Sequence, residues 1–459
     1  MVLDVHGKNL PVPSFFQVYN FGGGNGDKDR EIVYSEFTED TPALINYFYI
    51  NNKYKHDFSS KFFDDIGKYD SIGDLYNYIR EQLINKGEIY SGYQSETYDF
   101  NKKVFLLDSG AANIIKQIAK DVDFNEEEFS SALIKHLHRY YDFADKIKVD
   151  IVVGFDLGGK YTEKDGKNDR RLKEFLLTID TDKINNFLLE ESVKYLTNKK
   201  GYYPLVLATV HGKTPEDYMN CVKHILELEQ KYQYKFWGFA LGGIASYKKL
   251  DEKWLKGINF NKKVNKKDFA SLVGPARASK IVRELAGNRP IHALGCGGYP
   301  NIVTNYFCGA TSFDAASPAR RVGDGSRESA AHVHEKCHYT QSKLSFSQYL
   351  IGGFNSDGSL REDSPTYINL NEVDDNLTMC GCPACISAKS IATIKNIYER
   401  KVDGDNEAFY YSRQLMGLHA VYQHKKLCEI IAEYSSVEDF CKNNKNKLND
   451  GILEIYNQI

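Results

Sequence analysis

Short apolar runs alternate with amphipathic stretches through the middle of the chain, a pattern typical of folds built from paired β-strands and α-helices. The apolar runs predict strands at 104–108, 150–156, 204–210, 236–241, 291–295 and 311–314. Between them, apolar positions recur at three- and four-residue intervals and predict helices at 126–147, 215–231 and 269–286. The alternation predicts an α/β fold with a parallel sheet.

Polar residues and glycines gather where the predicted strands end. They are Asp108, Asp156, His211, Gly242, Gly243, the run 295–298 and Asp314. In a (β/α)8 TIM barrel the carboxyl ends of the strands form the active-site face, and a doubly wound open sheet also binds ligands there. Six strands are visible, with room for two more in the first 100 residues or after residue 320, so we favour the barrel.

Three carboxylates, those of Asp108, Asp156 and Asp314, would share one rim of such a barrel. One aspartate can attack an electrophilic carbon while a second moves a proton, as in glycosyl transfer. The alternative for any one of them, and for Asp156 in particular, is a helix N-cap, which aspartate favours after a βα loop. Because the three share the rim with paired glycines, we favour a chemical role.

The composition and net charge imply that any binding to nucleic acid or a membrane depends on local basic patches. The chain has 459 residues, 42% of them hydrophobic, so it can bury a large core as one α/β domain with appendages or as two to three domains. Its formal net charge of −3 provides no global field that would attract nucleic acid or a membrane. Basic residues at 262–283, and Arg320 with Arg321, are candidate phosphate contacts, although such runs are often only solvated.

A compact cysteine motif, formed by Cys380, Cys382 and Cys385, precedes His419. Three thiolates and one imidazole complete the donor set of a structural Zn²⁺, and three reactive or buried thiols are the alternative. His424 competes with His419 as fourth ligand. A second metal-competent group comprises His332, His334, Cys337 and His338. We favour a structural or loop role for that group, because no second knuckle surrounds it.

The nine cysteines also bear on the compartment. The sequence has no apolar stretch of transmembrane length and no signal-peptide pattern. Free thiols and zinc both persist under reducing conditions, so we expect a cytoplasmic protein without a membrane partner.

Taken in order, the motifs carry a resemblance. They are D-S-G at 108–110, Asp156, A-T-V-H-G at 208–212, G-G-I-A at 242–245, L-G-C-G at 294–297, F-D-A-A-S-P-A-R at 313–320 and C-G-C-P-A-C at 380–385. This series is similar to D-S-G-G-F-Q, a strand-end Asp, G-x-V-Q-G-G, G-G-L-A, L-x-G-x-G, F-D-x-x-x-P-x-R and C-x-C-x2-C with a later His. Over residues 100–430 the chain therefore resembles the tRNA-guanine transglycosylase superfamily.

The resemblance implies a TIM barrel that exchanges guanine in nucleic acid for a 7-deazaguanine without breaking the strand. Asp314 would be the nucleophile of a covalent glycosyl-enzyme, and Asp108 the general acid/base. Substrate binding would fall to Ser109, Asp156, His211, Gly242, Gly243, Arg320 and Arg321. Structural Zn²⁺ would be held by Cys380, Cys382, Cys385 and His419.

The expected organisation follows from the same resemblance. The catalytic barrel, with a divergent N-terminal region, would occupy 1–350, and a zinc-binding subdomain near the C-terminus would occupy 351–430. The remainder, 431–459, would form a C-terminal helix packed on the barrel. Family members often dimerise through the zinc region, so a homodimer is one expected state.

Departures from the family pattern refine the expected substrate. His211 replaces the base-reading Gln, and Ser246, Tyr247 and Lys248 stand where tRNA enzymes carry a Glu suited to an aminomethyl cation. An uncharged nitrile group fits these residues better than an aminomethyl cation does, which favours 7-cyano-7-deazaguanine as the incoming base. With the divergent first hundred residues, these departures favour the DpdA-type DNA-guanine transglycosylases of bacterial or phage-infected cells, with tRNA as the alternative nucleic acid. A catalytically inert, zinc-stabilised nucleic-acid-binding subunit is a further alternative, which retention of both catalytic aspartates disfavours.

Overall fold

A computed structural model describes most of the predicted barrel. The described residues are 1–19, 41–47, 68–85, 99–110, 126–157, 177–245, 251–261, 266–315, 424–444 and 448–459, with isolated positions at 114, 115, 118, 174, 264, 388–390, 392, 393, 396, 397, 400, 404, 405, 407, 408, 421 and 422. The strands are β1 (Val2–Val5), β2 (Lys8–Pro11), β3 (Ser14–Tyr19), β4 (Ala43–Asn46), β5 (Phe105–Asp108), β6 (Ile151–Val153), β7 (Leu205–Val210), β8 (Gly238–Leu241), β9 (Ile291–Ala293) and β10 (Ser312–Ala315).

Eight of these strands, β3 to β10, are parallel and close into a barrel in chain order, with β10 paired to β3. Strands β5 to β10 confirm the six predicted from apolar runs. The two strands that the sequence left open, β3 and β4, both lie in the first 100 residues. The prediction of an α/β barrel is therefore confirmed.

Helices follow the strands and cover the barrel. They are α1 (Ile72–Asn85), α2 (Glu126–Lys146), α3 (Thr181–Asn198), α4 (Pro215–Tyr232), α5 (Lys266–Ala286), α6 (Tyr299–Phe307), α7 (Val437–Asn443) and α8 (Asn449–Tyr456). Their starts follow local capping rules: Thr214 and Asp217 form a capping box at α4, with Pro215 in its first turn. Helices α2 to α6 follow one another around the barrel. Each packs against the next, as α3 does on α4 and α4 on α5.

Side chains alternate between the barrel interior and the helix layer, as strand geometry requires. The interior cluster contains Phe16, Leu44, Leu106 and Leu207, while their strand neighbours join the larger cluster beneath the helices. The same alternation directs Asn46, Asp108, His292 and Asp314 inward, because each lies two residues from, or pairs in register with, an interior residue. A polar layer therefore lies above an apolar one inside the barrel.

A hairpin of β1 and β2 closes the amino-terminal end of the barrel. Its Val5 and Leu10 are buried in the interior cluster. Lys8 reaches the backbone oxygen of Lys103 at 2.8 Å and forms an ion pair with the fully buried Asp150 at 2.9 Å. Because Asp150 also accepts a hydrogen bond from the Phe105 N–H, one carboxylate ties the hairpin to two barrel strands.

The last helices lie against the barrel's outer layer. Helix α8 contacts α5 and α6, and Tyr299 donates a hydrogen bond to Asn449 over 2.7 Å. Gly451 permits this approach, because a Cβ there would lie 2.2 Å from the Phe269 ring. Across the described ranges, none of the helices combines the length and the apolar character needed to cross a membrane.

Candidate active site

The carboxyl ends of the strands bring together polar side chains from β4, β5 and β10 and from the residues just after β6 and β7. These side chains belong to Asn46, Asp108, Asp156, His211 and Asp314. Because a closed parallel barrel gathers its strand ends at one rim, residues far apart in sequence become neighbours. The predicted clustering of Asp108, Asp156, His211 and Asp314 on this rim follows directly from the observed strand order.

Asp108 ends β5 at the centre of this group. Asn46 donates a hydrogen bond to its Oδ2 over 2.8 Å, and the backbone N–H groups of Ser109 and Gly110 also point to the carboxylate. Gly110 has φ +67°, a left-handed conformation that suits glycine in this turn. Burial, followed by the negative charges of Asp156 and Asp314, raises the pKa of Asp108 to about 7.

Asp156 and His211 form the second pair. His211 Nε2 lies 2.7 Å from Asp156 Oδ2, a contact at ion-pair distance that lacks the geometry of a hydrogen bond. Gly242 makes room for the imidazole, because a Cβ at that position would lie 2.6 Å from His211 Cε1. The next residue, Gly243, adopts φ +76°. The paired glycines therefore let the end of β8 pass close to the histidine.

The loop after β7 is equally tight. A Cβ on Gly212 would lie 2.5 Å from the backbone nitrogen of Tyr218 in the first turns of α4. The His211 N–H is directed towards the sulfur of Cys221 at 3.5 Å. Glycine at this position lets the helix begin immediately beyond the histidine, which fixes where the imidazole lies on the rim.

Asp314 lies in β10, with its side chain 10% exposed. The Gly295 N–H donates to Asp314 Oδ1 over 2.7 Å, and His292 Nε2 lies 3.3 Å from the same oxygen. Neighbouring Gly297 permits the loop to approach, because a Cβ there would lie 2.4 Å from the Ala315 Cβ. Within the described ranges, Asp314 Oδ2 makes no hydrogen bond. Among the described residues, one carboxylate oxygen is thus held and the other is open.

Tyr140 of α2 ties two of the contributing strands together from outside the barrel. Its buried hydroxyl lies 2.8 Å from the Leu107 carbonyl oxygen and 2.7 Å from that of Val153. Its one hydrogen is shared between β5 and β6, one residue before Asp108 and three residues before Asp156. Burial, with smaller contributions from neighbouring Tyr141 and Asp108, raises the Tyr140 pKa well above its usual range, so the hydroxyl keeps its proton.

A small cavity lies behind Asp156 and His211, towards α2 and α3. Its other polar lining residues are Tyr141, Asn185, Ser192 and Thr209. The cavity volume is about 10 Å³, enough for about one water molecule. A purine base does not fit there, so the cavity itself is not a base-binding pocket.

The remaining predicted site residues are less directly placed. Ser109 is fully buried, and its Oγ has no partner among the described residues. Several expected residues lie outside the described ones: Arg320, Arg321, Cys380, Cys382, Cys385, His419 and the group His332, His334, Cys337 and His338. Likewise 111–113 and 246–248 lie outside them. His424 is described, and its ring stacks on Phe15 at 4.3 Å. Where residues are described, no group of three or more metal-ligating side chains occurs.

Two arginines of the basic run at 262–283 have structural contacts. Arg277 donates to the backbone oxygens of Trp254 and Lys256. Arg283 donates to those of Gly287, Arg289 and Gly309, near the amino-terminal ends of β9 and β10. Burial lowers the pKa of both guanidinium groups. These contacts stabilise loops, and those of Arg283 hold its side chain at the end of the barrel opposite the rim.

Three residues of the site were not predicted from the sequence: Asn46, His292 and Ser312. His292 lies within the predicted strand at 291–295, where alternation with Ile291 and Ala293 could have marked it as inward-facing. Asn46 lies in a strand that the sequence did not predict at all. Ser312 is recognisable only through its pairing with His292 across two strands.

Together these groups can perform acid/base and nucleophilic chemistry at one point. A carboxyl group with a pKa near 7 can donate and accept a proton at neutral pH. A second carboxylate with one open oxygen can attack carbon. Comparison with known proteins adds no identity to this geometry: the chain matches no protein-family model and no curated protein.

Proposed function

We propose that the protein is a base-exchanging transglycosylase that replaces guanine in DNA with a 7-deazaguanine through a covalent aspartyl intermediate. The observation that carries the proposal is that the two rim carboxylates have different surroundings, suited to different roles. Asp108 has its pKa raised to about 7 by burial and by its acidic neighbours, while Asp314 has one oxygen held and one open. A proton donor beside a nucleophile is what displacement of a heterocyclic base requires.

In the first half-reaction, Asp314 Oδ2 attacks the anomeric carbon of the target nucleotide. The bond from that carbon to guanine N9 breaks, and its electron pair returns to the base as Asp108 donates a proton. The products are free guanine and a glycosyl ester of Asp314. The target nucleotide has to leave the base stack to reach such a site.

In the second half-reaction, the incoming 7-deazaguanine binds where guanine was. Asp108, now deprotonated, accepts the N9 proton as N9 attacks the anomeric carbon. The ester bond breaks and its electron pair returns to Asp314. Both aspartates end in their starting states, so the exchange needs no external oxidant, reductant or nucleotide cofactor.

Recognition of the base is assigned to Asp156 and the backbone near Gly243. A carboxylate can accept hydrogen bonds from the adjacent N–H and NH2 groups on a guanine-like edge. His211 lies 2.7 Å from Asp156, so its role is to orient that carboxylate and not to read the base with a paired donor and acceptor. The residues at 246–248 favour an uncharged substituent, and 7-cyano-7-deazaguanine is the proposed incoming base.

Capture of the covalent intermediate tests the proposal. Protein is incubated with guanine-containing duplex DNA, single-stranded DNA or tRNA, and adducts are separated under denaturing conditions. We expect an adduct with DNA that is absent in Asp314→Ala and present in Asp150→Asn, a matched change at the opposite end of the barrel. An adduct with tRNA alone would reassign the nucleic acid.

Exchange of labelled guanine completes the same experiment. We expect release of labelled guanine from DNA when 7-cyano-7-deazaguanine is supplied. No exchange in DNA or tRNA, and no adduct, would reject the enzyme and favour a non-catalytic nucleic-acid-binding subunit.

Structural zinc is a separate proposal that rests on the donor set Cys380, Cys382, Cys385 and His419. Three thiolates with an imidazole match the preference of structural Zn²⁺ sites. Elemental analysis should find about one zinc per chain, lost in Cys382→Ser. Comparison of His419→Ala with His424→Ala identifies the fourth ligand, and full zinc retention in Cys382→Ser would reject the site.

A further inference from the structure

A chain of three polar side chains lies in the upper part of the barrel interior. Ser312 Oγ is 2.9 Å from His292 Nδ1, and His292 Nε2 is 3.3 Å from Asp314 Oδ1. His292 is 1% exposed, and the edge of its ring meets Phe16 at a centroid distance of 5.4 Å. Ser312 and His292 pair directly across β10 and β9, so the backbone register fixes this contact.

We propose that His292, held by Ser312, is the positioning residue of Asp314. It acts with the Gly295 N–H to hold carboxylate Oδ1 and thereby presents Oδ2 to the anomeric carbon. The inference rests on the proposed transglycosylase function. It adds His292 to the site, a residue that is part of neither the sequence motifs nor the roles given to the two rim aspartates.

The placement of the ring supports a donor role for Nε2. Among described residues this buried nitrogen has no hydrogen bond of ideal geometry, and Asp314 Oδ1 lies 3.3 Å from it as a possible acceptor. At 3.3 Å the contact is longer than an ideal hydrogen bond, as catalytic contacts often are before substrate binds. If Ser312 donates to Nδ1, the neutral ring must carry its proton on Nε2 and so faces the carboxylate as a donor.

A nucleophilic role for Ser312 does not fit this arrangement. Ser312 precedes Asp314 by two residues on the same face of β10, so it lies deeper in the barrel by about 7 Å. The serine is 7% exposed, and its hydroxyl is engaged by His292. Ser312, His292 and Asp314 therefore follow one another from the barrel interior to the rim. This order is expected when the histidine supports the carboxylate.

Single-turnover kinetics of adduct formation on guanine-containing DNA tests the proposal. We expect His292→Leu to slow adduct formation about 10- to 100-fold with unchanged affinity for DNA, because a hydrogen bond to a charged group is lost. His292→Gln should recover part of the rate, since its amide N–H can approach the position of Nε2. Ser312→Ala should slow the step less than His292→Leu.

A double variant and a packing control separate positioning from structural support. Ser312→Ala combined with His292→Leu should be no slower than His292→Leu alone, because the serine acts through the histidine. Phe16→Leu removes the ring beside His292 without removing either polar contact, and it should form adduct at the rate of the unaltered protein. A wild-type rate in His292→Leu, or an equal loss in Phe16→Leu, would overturn the proposal.

Nitrogen NMR of histidine-labelled protein gives a readout that does not depend on activity. His292 is assigned from the signal missing in His292→Gln, and its Nε2 should be protonated at pH 7 and shift in Asp314→Asn. An unprotonated Nε2 would reject the inference even in an active enzyme. Absence of adduct with every nucleic acid would instead reject the transglycosylase reaction, while the position of the ring proton would still decide whether His292 donates to Asp314.

Discussion

The aspartates at the two ends of the barrel have opposite electrostatic surroundings. At the amino-terminal end, Asp150 is paired with Lys8 at 2.9 Å and also accepts the Phe105 N–H. At the carboxyl-terminal end, Asp108 has two further carboxylates as its nearest charges and an amide, Asn46, as its side-chain donor. Burial raises the pKa of both aspartates, but Lys8 opposes the effect at Asp150, whereas Asp156 and Asp314 reinforce it at Asp108.

The difference separates a stabilising end from a reactive one. A paired carboxylate holds the closing hairpin in place, and removing its partner leaves a buried charge. Clustered carboxylates make the folded state less stable at neutral pH, and in the proposed reaction the same cluster moves the proton. Both histidines at the rim contact an aspartate, His211 on Asp156 and His292 on Asp314, while Asp108 contacts neither in the described contacts.

The largest expected effect comes from neutralising the reactive end with Asp108→Asn. The rate of adduct formation at pH 7 should fall about 10²- to 10⁴-fold, because the leaving base loses its proton donor. In the unaltered protein the same rate should decline above pH about 7, where Asp108 is deprotonated. Rates measured from pH 5 to 9 check both expectations, and an unchanged rate in Asp108→Asn would remove its acid/base role.

The same variant should be more stable than the unaltered protein at high pH. Because the pKa of Asp108 is higher in the folded state than the ordinary 3.8, the folded protein binds more protons between pH 4 and 7 and loses stability as the pH rises through that window. Asp108→Asn should raise the free energy of unfolding by up to about 4 kcal/mol at pH 8 and by little at pH 4. Urea unfolding at both pH values measures the difference.

Breaking the stabilising end should have the next largest effect. Lys8→Met should lower the free energy of unfolding by about 3 kcal/mol at pH 7, because Asp150 is left buried without its cation. Adding Asp150→Asn should restore part of the loss, since the buried charge is removed and an acceptor for the Phe105 N–H remains. Urea unfolding compares the three proteins, and an equal loss in the single and double variants would contradict the ion-pair explanation.

A smaller effect is expected where the rim histidine meets its glycine. Gly242→Ala adds a Cβ 2.6 Å from His211 Cε1, so the imidazole has to move away from Asp156. Overpacking of this kind costs about 1–3 kcal/mol, and we expect weaker binding of the incoming base rather than a slower first half-reaction. Gly298→Ala is the matched control, because its Cβ would meet nothing closer than 3.7 Å.

The smallest effect is expected at a surface ion pair. Lys194 lies 2.7 Å from Glu191 on α3, and its side chain is 42% exposed. Lys194→Ala should change the free energy of unfolding by no more than about 0.5 kcal/mol, since exposed pairs contribute little. A loss comparable to that of Lys8→Met would show that burial does not explain the difference between the ion pairs.

Some residues of the site could be predicted from their own position in the sequence pattern, and others only from their neighbours in the folded barrel. Asp108 ends an apolar run and Asp314 ends the predicted strand at 311–314, so the predicted strand ends located both residues on the rim. Asn46 was missed because β4 was not predicted from the sequence, so nothing marked Asn46 as the polar end of a strand. His292 was missed for a different reason: its importance comes from Ser312 and Asp314 on the neighbouring strand, and strand register is a property of the closed barrel.

The hydroxyl of Tyr140 lets a helix outside the barrel set the spacing of two carboxylates at the rim. One side chain of α2 joins the strands that end in Asp108 and precede Asp156, so the gap between those carboxylates is set from a position that touches neither. Substitutions around this tyrosine can widen or narrow the gap without altering any residue at the rim.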